Sequence, residues 1–221
     1  MLVFEALHAF IWQSMTQNNC NTYLIDGAAR ILIDPGHLHL FNHVRQGLSE
    51  LHLDLDDLDL VLCTHAHPDH TEAVQLFRDT PVLTTLHEQD WQLITDMLEQ
   101  YGAALQVRIE DIQPDFFLQE GDLSIHGIEF EIFHTPGHSP GSISIYWPEK
   151  KALFTGDLIF KEAVGRTDLP GANKTQLKKS IQRLSTLEVE WLLTGHGDIV
   201  CGSQEVQRNF REIERLWFTY L

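Results

Sequence analysis

The sequence predicts a mixed α/β fold (α/β grading into α+β) in a single domain spanning 1–221, on three observations. A first half alternates short apolar runs with helix-period segments, a second half is rich in strand-like runs, and several of those runs end in a polar turn carrying histidine or aspartate. At 221 residues there is enough chain for one sizeable core. Hydrophobic and charged contents of 43% and 21% are those of an ordinary folded protein.

Taken in order, Leu2-Val3-Phe4 and Thr22-Tyr23-Leu24-Ile25 are strands, and Asp26-Gly27 turns the second into a third at Arg30 to Ile33, ended by Asp34-Pro35-Gly36. Phe41, Val44, Leu48 and Leu51 recur every three or four residues, which predicts a helix over Leu38 to Leu51. The acidic run Leu53 to Asp59 lacks the glycine and distal glutamate of a calcium loop and is a solvated connection. Leu60-Val61-Leu62-Cys63 is a buried strand, followed by a polar loop and a helix opening near Asp69 and His70 that buries Ala73, Val74, Leu76 and Phe77. Pro81 to Thr85 is a strand, and His87 to Tyr101 a helix with Trp91, Ile94, Leu98 and Tyr101 on its inner side.

The β-rich half has strands at Asp122 to His126, Ile128 to Phe133, Ser142 to Trp147 and Ala152 to Phe154. Helices at Thr175 to Leu184 and Gln204 to Trp217 flank a short strand, Trp191 to Leu193.

Composition narrows the function. The net charge of −17, from 32 acidic and 15 basic residues, repels a phosphate backbone. The one basic cluster, Lys174, Lys178, Lys179 and Arg183, has helical spacing and is a solvated face, so no nucleic-acid partner is expected. No apolar stretch is long enough for a membrane span, and Met1 to Trp12 lacks the basic start of a secretory signal. Three cysteines without a signal argue for a reducing compartment, and the cytoplasm is expected. The apolar end Trp217, Phe218, Tyr220, Leu221 must pack within the chain or on a neighbour, and the oligomeric state stays open.

The chemistry concentrates in Thr64-His65-Ala66-His67-Pro68-Asp69-His70, four potential metal ligands within six residues at a strand's end. So many donors crowd a single tetrahedral ion, and two adjacent ions are the natural reading. A closed structural zinc site fits less well, because Cys20, Cys63 and Cys201 form no CxxC pair. Three further strand ends carry candidates: His138 in Thr135-Pro-Gly-His-Ser-Pro-Gly141, Asp157 in Thr155-Gly-Asp, and His196 in Thr194-Gly-His-Gly197. Singly, each is an ordinary polar cap; together they form a pattern.

That pattern, His65-x-His67-x-Asp69-His70 followed by His138, Asp157 and His196, resembles the metallo-β-lactamase superfamily. The resemblance implies a four-layer αββα sandwich with metal at one edge between the sheets. It further implies one ion on His65, His67 and His138, a second on Asp69, His70 and His196, and Asp157 bridging them. His8, His37, His39, His43, His52, His87, His126 and His134 are left as ordinary surface or packing residues. Phe154-Thr-Gly-Asp157 and Gly165-Arg-Thr-Asp168 are most similar to glyoxalase II (hydroxyacylglutathione hydrolase) and its short bacterial relatives, without the C-terminal helical substrate region of the full-length enzymes.

The activity implied by this resemblance is that of a small-molecule hydrolase with two divalent ions, zinc with iron or manganese as alternatives, that cleaves a thioester such as S-lactoylglutathione. A shared water, its pKa lowered towards about 7, supplies the nucleophile. Asp69 orients it as well as binding metal, and Lys161 and Arg166 are candidates to meet a substrate carboxylate. The alternatives are a mononuclear iron dioxygenase on His65, His138 and Asp157, resembling persulfide dioxygenases, a lactonase or phosphodiesterase on the same core, and a non-catalytic metal-binding domain.

Overall fold

The computed structural model describes residues 1–14, 16–105 and 108–221, the side chains of 101–105 excepted. The chain divides into two compact units, Met1–Leu118 and Gln119–Leu221.

The first unit is a seven-stranded sheet whose spatial order follows the chain: β1 (Leu2–Phe4), β2 (Leu7–Phe10), β3 (Thr22–Asp26), β4 (Arg30–Ile33), β5 (Leu60–Leu62), β6 (Leu83–His87) and β7 (Phe116–Leu118). Neighbours run antiparallel as far as β4 and parallel from β4 to β7. Parallel neighbours need crossovers, and these are the helical segments: α1 (Asn42–Glu50), α2 (Pro68–Thr71), α3 (Glu88–Leu105) and α4 (Ile109–Ile112). One core gathers Leu24, Leu32, Val61 and Leu86 of the strands with Phe41, Val44 and Leu48 of the α1 segment and Ala73, Val74 and Phe77. Trp91 and Ile94 of α3 pack against it as expected, whereas the side chain of Tyr101 lies outside the described residues.

Two helical stretches depart from their predicted continuity. The segment Leu38 to Leu51 splits into a 3-10 turn, Leu38–Leu40, whose first amide, that of Leu38, donates to the Glu72 carboxylate at 3.0 Å, and then α1. The helix after the ligand loop likewise stops at Thr71 and continues as 3-10, Glu72–Phe77. Its ladder is taken by outside partners: Cys20 N donates to Asp69 O, Gly36 N to His70 O, and Ala73 N to Gly36 O. An α-helix cannot propagate once those groups are spent elsewhere. Sequence pattern also missed β2, hidden in the apolar start, and β7, a run of only three residues. Helix α3 extends past the predicted end at Tyr101, and His87 ends β6 instead of opening that helix.

The second unit is a six-stranded sheet in the order β15-β14-β11-β10-β9-β8, made of β8 (Gly121–Ile125), β9 (Ile128–His134), β10 (Ile143–Trp147), β11 (Ala152–Gly156), β14 (Trp191–Thr194) and β15 (Val200–Cys201). All pairs are antiparallel except β11 with β14. A separate hairpin joins β12 (Ile159–Phe160) to β13 (Ala163–Val164). Helices α5 (Lys174–Leu184) and α6 (Ser203–Trp217) bury Leu177, Ile181 and Leu184, and Val206, Phe210 and Ile213, on Tyr146, Leu153 and Leu192 of this sheet.

Asn209 sits within that apolar stripe of α6 because both polar atoms of its amide are paired: Oδ1 accepts from Glu162 N at 2.7 Å and Nδ2 donates to Phe160 O at 2.9 Å. It clamps the hairpin, and with it the segment leading to Gly165. Of the apolar end, Phe218 and Leu221 pack against the same core and Lys178 lies 4.9 Å over the Phe218 ring, whereas Trp217 and Tyr220 stay exposed, Tyr220 at 71%.

Helix α5 is seated against the turn before His138. Asn173 caps its N-terminus, with its side chain accepting from Gln176 N, while its own amide donates to Gly137 O. Gly137 has φ +141°, and a Cβ there would lie 2.2 Å from Leu177 N. Gly137→Ala therefore forces helix and turn apart and is expected to cost about 1–3 kcal/mol. Thermal melting checks this, with a fall of roughly 2–4 °C per kcal/mol for a chain this size.

Candidate metal centre

The ligand stretch begins one residue after β5 ends, and the structure shows what holds it. Asp34, one residue past the neighbouring β4, adopts φ +54°, an unfavourable backbone region for a residue with a Cβ. Its backbone is pinned by Asp34 N donating to Leu62 O and by Thr22 Oγ1 donating to Asp34 O at 2.6 Å. This aims a buried carboxylate at the ligand loop: Thr64 N donates to Oδ1 at 2.7 Å, and Thr64 Oγ1 and His70 Nδ1 donate to Oδ2 at 2.7 and 2.8 Å. From the first turn of α3, the fully buried Asp90 accepts Ala66 N at 2.7 Å. Neither Asp34 nor Asp90 was read from the sequence as functional. The one available signal was an aspartate placed at a strand end level with the ligand loop.

These bonds decide tautomers. A carboxylate can only accept, so His70 carries its proton on Nδ1 and turns Nε2 into the nitrogen that can coordinate. Thr64 spends its one proton on Asp34, so the 3.1 Å contact between Thr64 Oγ1 and His65 Nδ1 has the imidazole as donor, and again Nε2 carries the lone pair. His67 caps α2, with Pro68 as the first helical residue. The rings of His67 and His70 lie 4.8 and 4.0 Å from that of His65, so the three imidazoles converge. Asp69 Oδ2 accepts from Asn18 Nδ2 at 2.6 Å. The adjacent Cys63 is core: burial pushes its thiol well up and keeps the proton on sulfur.

The second unit places its own three candidates together. His138 stands on a turn closed by Thr135 N to Ser142 O and by Ser139 bonded to Ser142 Oγ through amide and hydroxyl. Its Nδ1 donates to the carbonyl of Arg166 at 2.8 Å, which leaves Nε2 to coordinate. Asp157 follows Gly156 at the end of β11, and His196 follows β14, whose neighbouring Gly195 amide donates to Gly156 O. Asp157 Oδ2 lies 3.5 Å from His138 Nε2 and 3.3 Å from His196 Nε2. Bonds of 2.0–2.2 Å to a tetrahedral ion put neighbouring ligand atoms about 3.3–3.6 Å apart, so both separations are those of ligands sharing a cation. The donor set, imidazole and carboxylate with ring tautomers fixed from behind, suits a divalent ion.

Gly165 makes the Arg166 contact possible. A Cβ there would sit 1.8 Å from the Asp157 carbonyl oxygen and 3.2 Å from His138 Nδ1. Arg166 thus acts through its backbone, while its guanidinium makes a paired contact with Asp168 at 2.9 and 2.8 Å and holds that carboxyl below the usual range. Lys161 is bonded to Asp198 at 2.9 Å, which raises the ammonium pKa. Both expected substrate cations are exposed and already face an acid. Two histidines set aside as ordinary, His37 and His39, meet at Glu72.

Fold and donor sets together define a metal-binding α/β protein. A family model described as the metallo-beta-lactamase superfamily matches residues 15–196. The chain is 36% identical to hydroxyacylglutathione hydrolase GloC of Haemophilus influenzae, over 87% of this chain and 92% of that one. It is also 36% identical to the probable metallo-hydrolase MJ0888 of Methanocaldococcus jannaschii, over 81% of this chain and 88% of that one. Among solved structures, TTHA1623 in a di-iron-bound form aligns with a TM-score of 0.70 at 32% identity, covering 91% of this chain and 95% of that one. The chain belongs to the metallo-β-lactamase superfamily, a superfamily of metallo-hydrolases, and has its fold.

Two substitutions test the supports. Asp34→Asn offers an amide N–H2 where an acceptor is needed and pushes the His70 proton to Nε2; metal affinity, measured by competition with a chromophoric chelator, is expected to fall about 10–100-fold. In Gly165→Ala the Asp157 loop must shift, and the same assay is expected to show metal loss together with a lowered melting temperature.

Proposed function

We propose that the two donor sets act as one binuclear centre of a hydrolase that cleaves a small thioester, of which S-lactoylglutathione is the first candidate. In this reading His65, His67 and His138 hold one ion, Asp69, His70 and His196 the other, and Asp157 serves both. The observation that carries it is Asp157 Oδ2, within 3.5 Å of coordinating nitrogens on both His138 and His196, as a bridging carboxylate oxygen would be. The name of the Haemophilus influenzae relative supports the thioester, and the di-iron form of TTHA1623 supports two ions.

Divalent ions at these ligands would supply Lewis acidity and would lower the pKa of a water towards about 7. The chain supplies the rest. Asn18 donates to Asp69 Oδ2 and steadies the carboxylate, which would orient the attacking water as well as bind metal. Thiolate leaves without a general acid because thiols ionise near pH 8.5, far below alcohols. Lys161 and Arg166 receive a substrate carboxylate by exchanging Asp198 and Asp168 for it. Zinc is the expected ion, with iron or manganese able to replace it, and the cytoplasm is the expected compartment.

Asp157→Ala is expected to lose at least about 10³-fold in turnover and at least one ion per chain, read by a thioester assay and elemental analysis. Unchanged turnover overturns the assignment. A screen of thioesters, lactones and phosphodiesters on the wild type should favour thioesters. A single iron per chain with thiol-dependent oxygen uptake would instead establish the dioxygenase alternative.

A further inference from the structure

We propose that His37, His39 and Glu72 form a separate site for a divalent first-row transition ion, sharing no ligand with the seven residues of the binuclear centre. Each offers one ligand atom, and the three atoms lie within 4.8 Å of one another. His37 Nδ1 is 2.8 Å and His39 Nδ1 3.9 Å from the same oxygen, Glu72 Oε2, and the two rings stand 5.1 Å apart.

The site is built before any ion arrives. His37 N donates to Asn19 Oδ1 at 2.8 Å, Leu38 N donates to Glu72 Oε2 at 3.0 Å, and Gly36 is tied by both amide and carbonyl to the turn that carries Glu72. These bonds bring the 3-10 turn at Leu38–Leu40 and the start of the 3-10 stretch Glu72–Phe77 together from positions 34 residues apart in sequence. The His37 to Glu72 hydrogen bond is then the proton-held form of the triad. A coordinated ion sets its ligand atoms about 3.3–3.6 Å apart, so it needs the 2.8 Å contact to open and the 3.9 Å one to close, each by roughly half an ångström. His39, with a side chain 64% exposed, can make that adjustment, and so can Glu72 at 26%.

Two imidazoles and one carboxylate select zinc, cobalt, nickel, copper or ferrous iron over calcium and magnesium, which prefer all-oxygen shells. Water completes the shell on the exposed side. The excess negative charge of the chain, −17, adds attraction for any cation.

The test is zinc titration of chelator-stripped full-length protein by calorimetry, with elemental analysis after gel filtration. Wild type is expected to bind one equivalent more than His39→Ala and than Glu72→Gln, whatever number the other centre holds. The same one-equivalent difference is expected when His39→Ala is added to Asp157→Ala, which separates this site from the binuclear reading. His39 is exposed, so its replacement leaves the fold intact, and matching melting temperatures verify this. Retention of the equivalent by either single variant, or its appearance only above millimolar zinc, overturns the proposal.

Discussion

The contact on which the candidate ligand loop of the first unit depends is the carboxylate of Asp34. Three donors from the loop after β5 end on it: an amide, a hydroxyl and an imidazole. Asp34 and His70 are both almost wholly buried, so these bonds lie where an unpaired polar group would be costly, and the loop has one low-energy arrangement. The left-handed backbone of Asp34 is the local cost, of order 1–3 kcal/mol. Strand β4 contributes no ligand, yet it sets the direction of the His70 ring and, through Thr64, of the His65 ring.

The second unit uses a different acceptor for the same end. His138 is oriented by a backbone carbonyl, and that carbonyl can approach only because residue 165 has no side chain. A neutral carbonyl leaves the imidazole less basic than a carboxylate partner does, so His138 is the weaker electron donor and His70 the stronger. Asp157 stands close to two imidazoles, with its own position set by the turn from Gly156 and by the hairpin that Asn209 clamps from α6. A helix distant in sequence thereby fixes where the Arg166 carbonyl lies.

Most strands and both long helices of the second unit could be read from period and turn residues, because the apolar positions that set the period are the ones that become buried. Leu60 to Leu62, Ile143 to Trp147 and Leu177, Ile181 and Leu184 all went where the pattern put them. The break in helical continuity at Glu72 was unreadable, since it follows from backbone groups captured by Cys20 and Gly36, partners that only the fold brings near. The site divides the same way. Candidate ligand residues show in sequence because imidazoles and carboxylates are rare at strand ends in such number, whereas Asp34, Asp90 and the Arg166 carbonyl are defined by what they touch.

Burial explains why the same pair of groups serves two ends in one unit. Imidazole Nδ1 faces carboxylate at 2.8 Å both in His70 with Asp34 and in His37 with Glu72. At Asp34 the surroundings are dry and both oxygens already accept from loop donors, so the carboxylate acts by orienting the loop and the His70 ring. At Glu72 both hydrogen bonds fall on Oε2, water reaches the group, and a second imidazole waits at 3.9 Å. Exchanging a proton for a cation there disturbs only side chains that can rotate, whereas the same exchange at Asp34 would release the loop that carries His65 and His70.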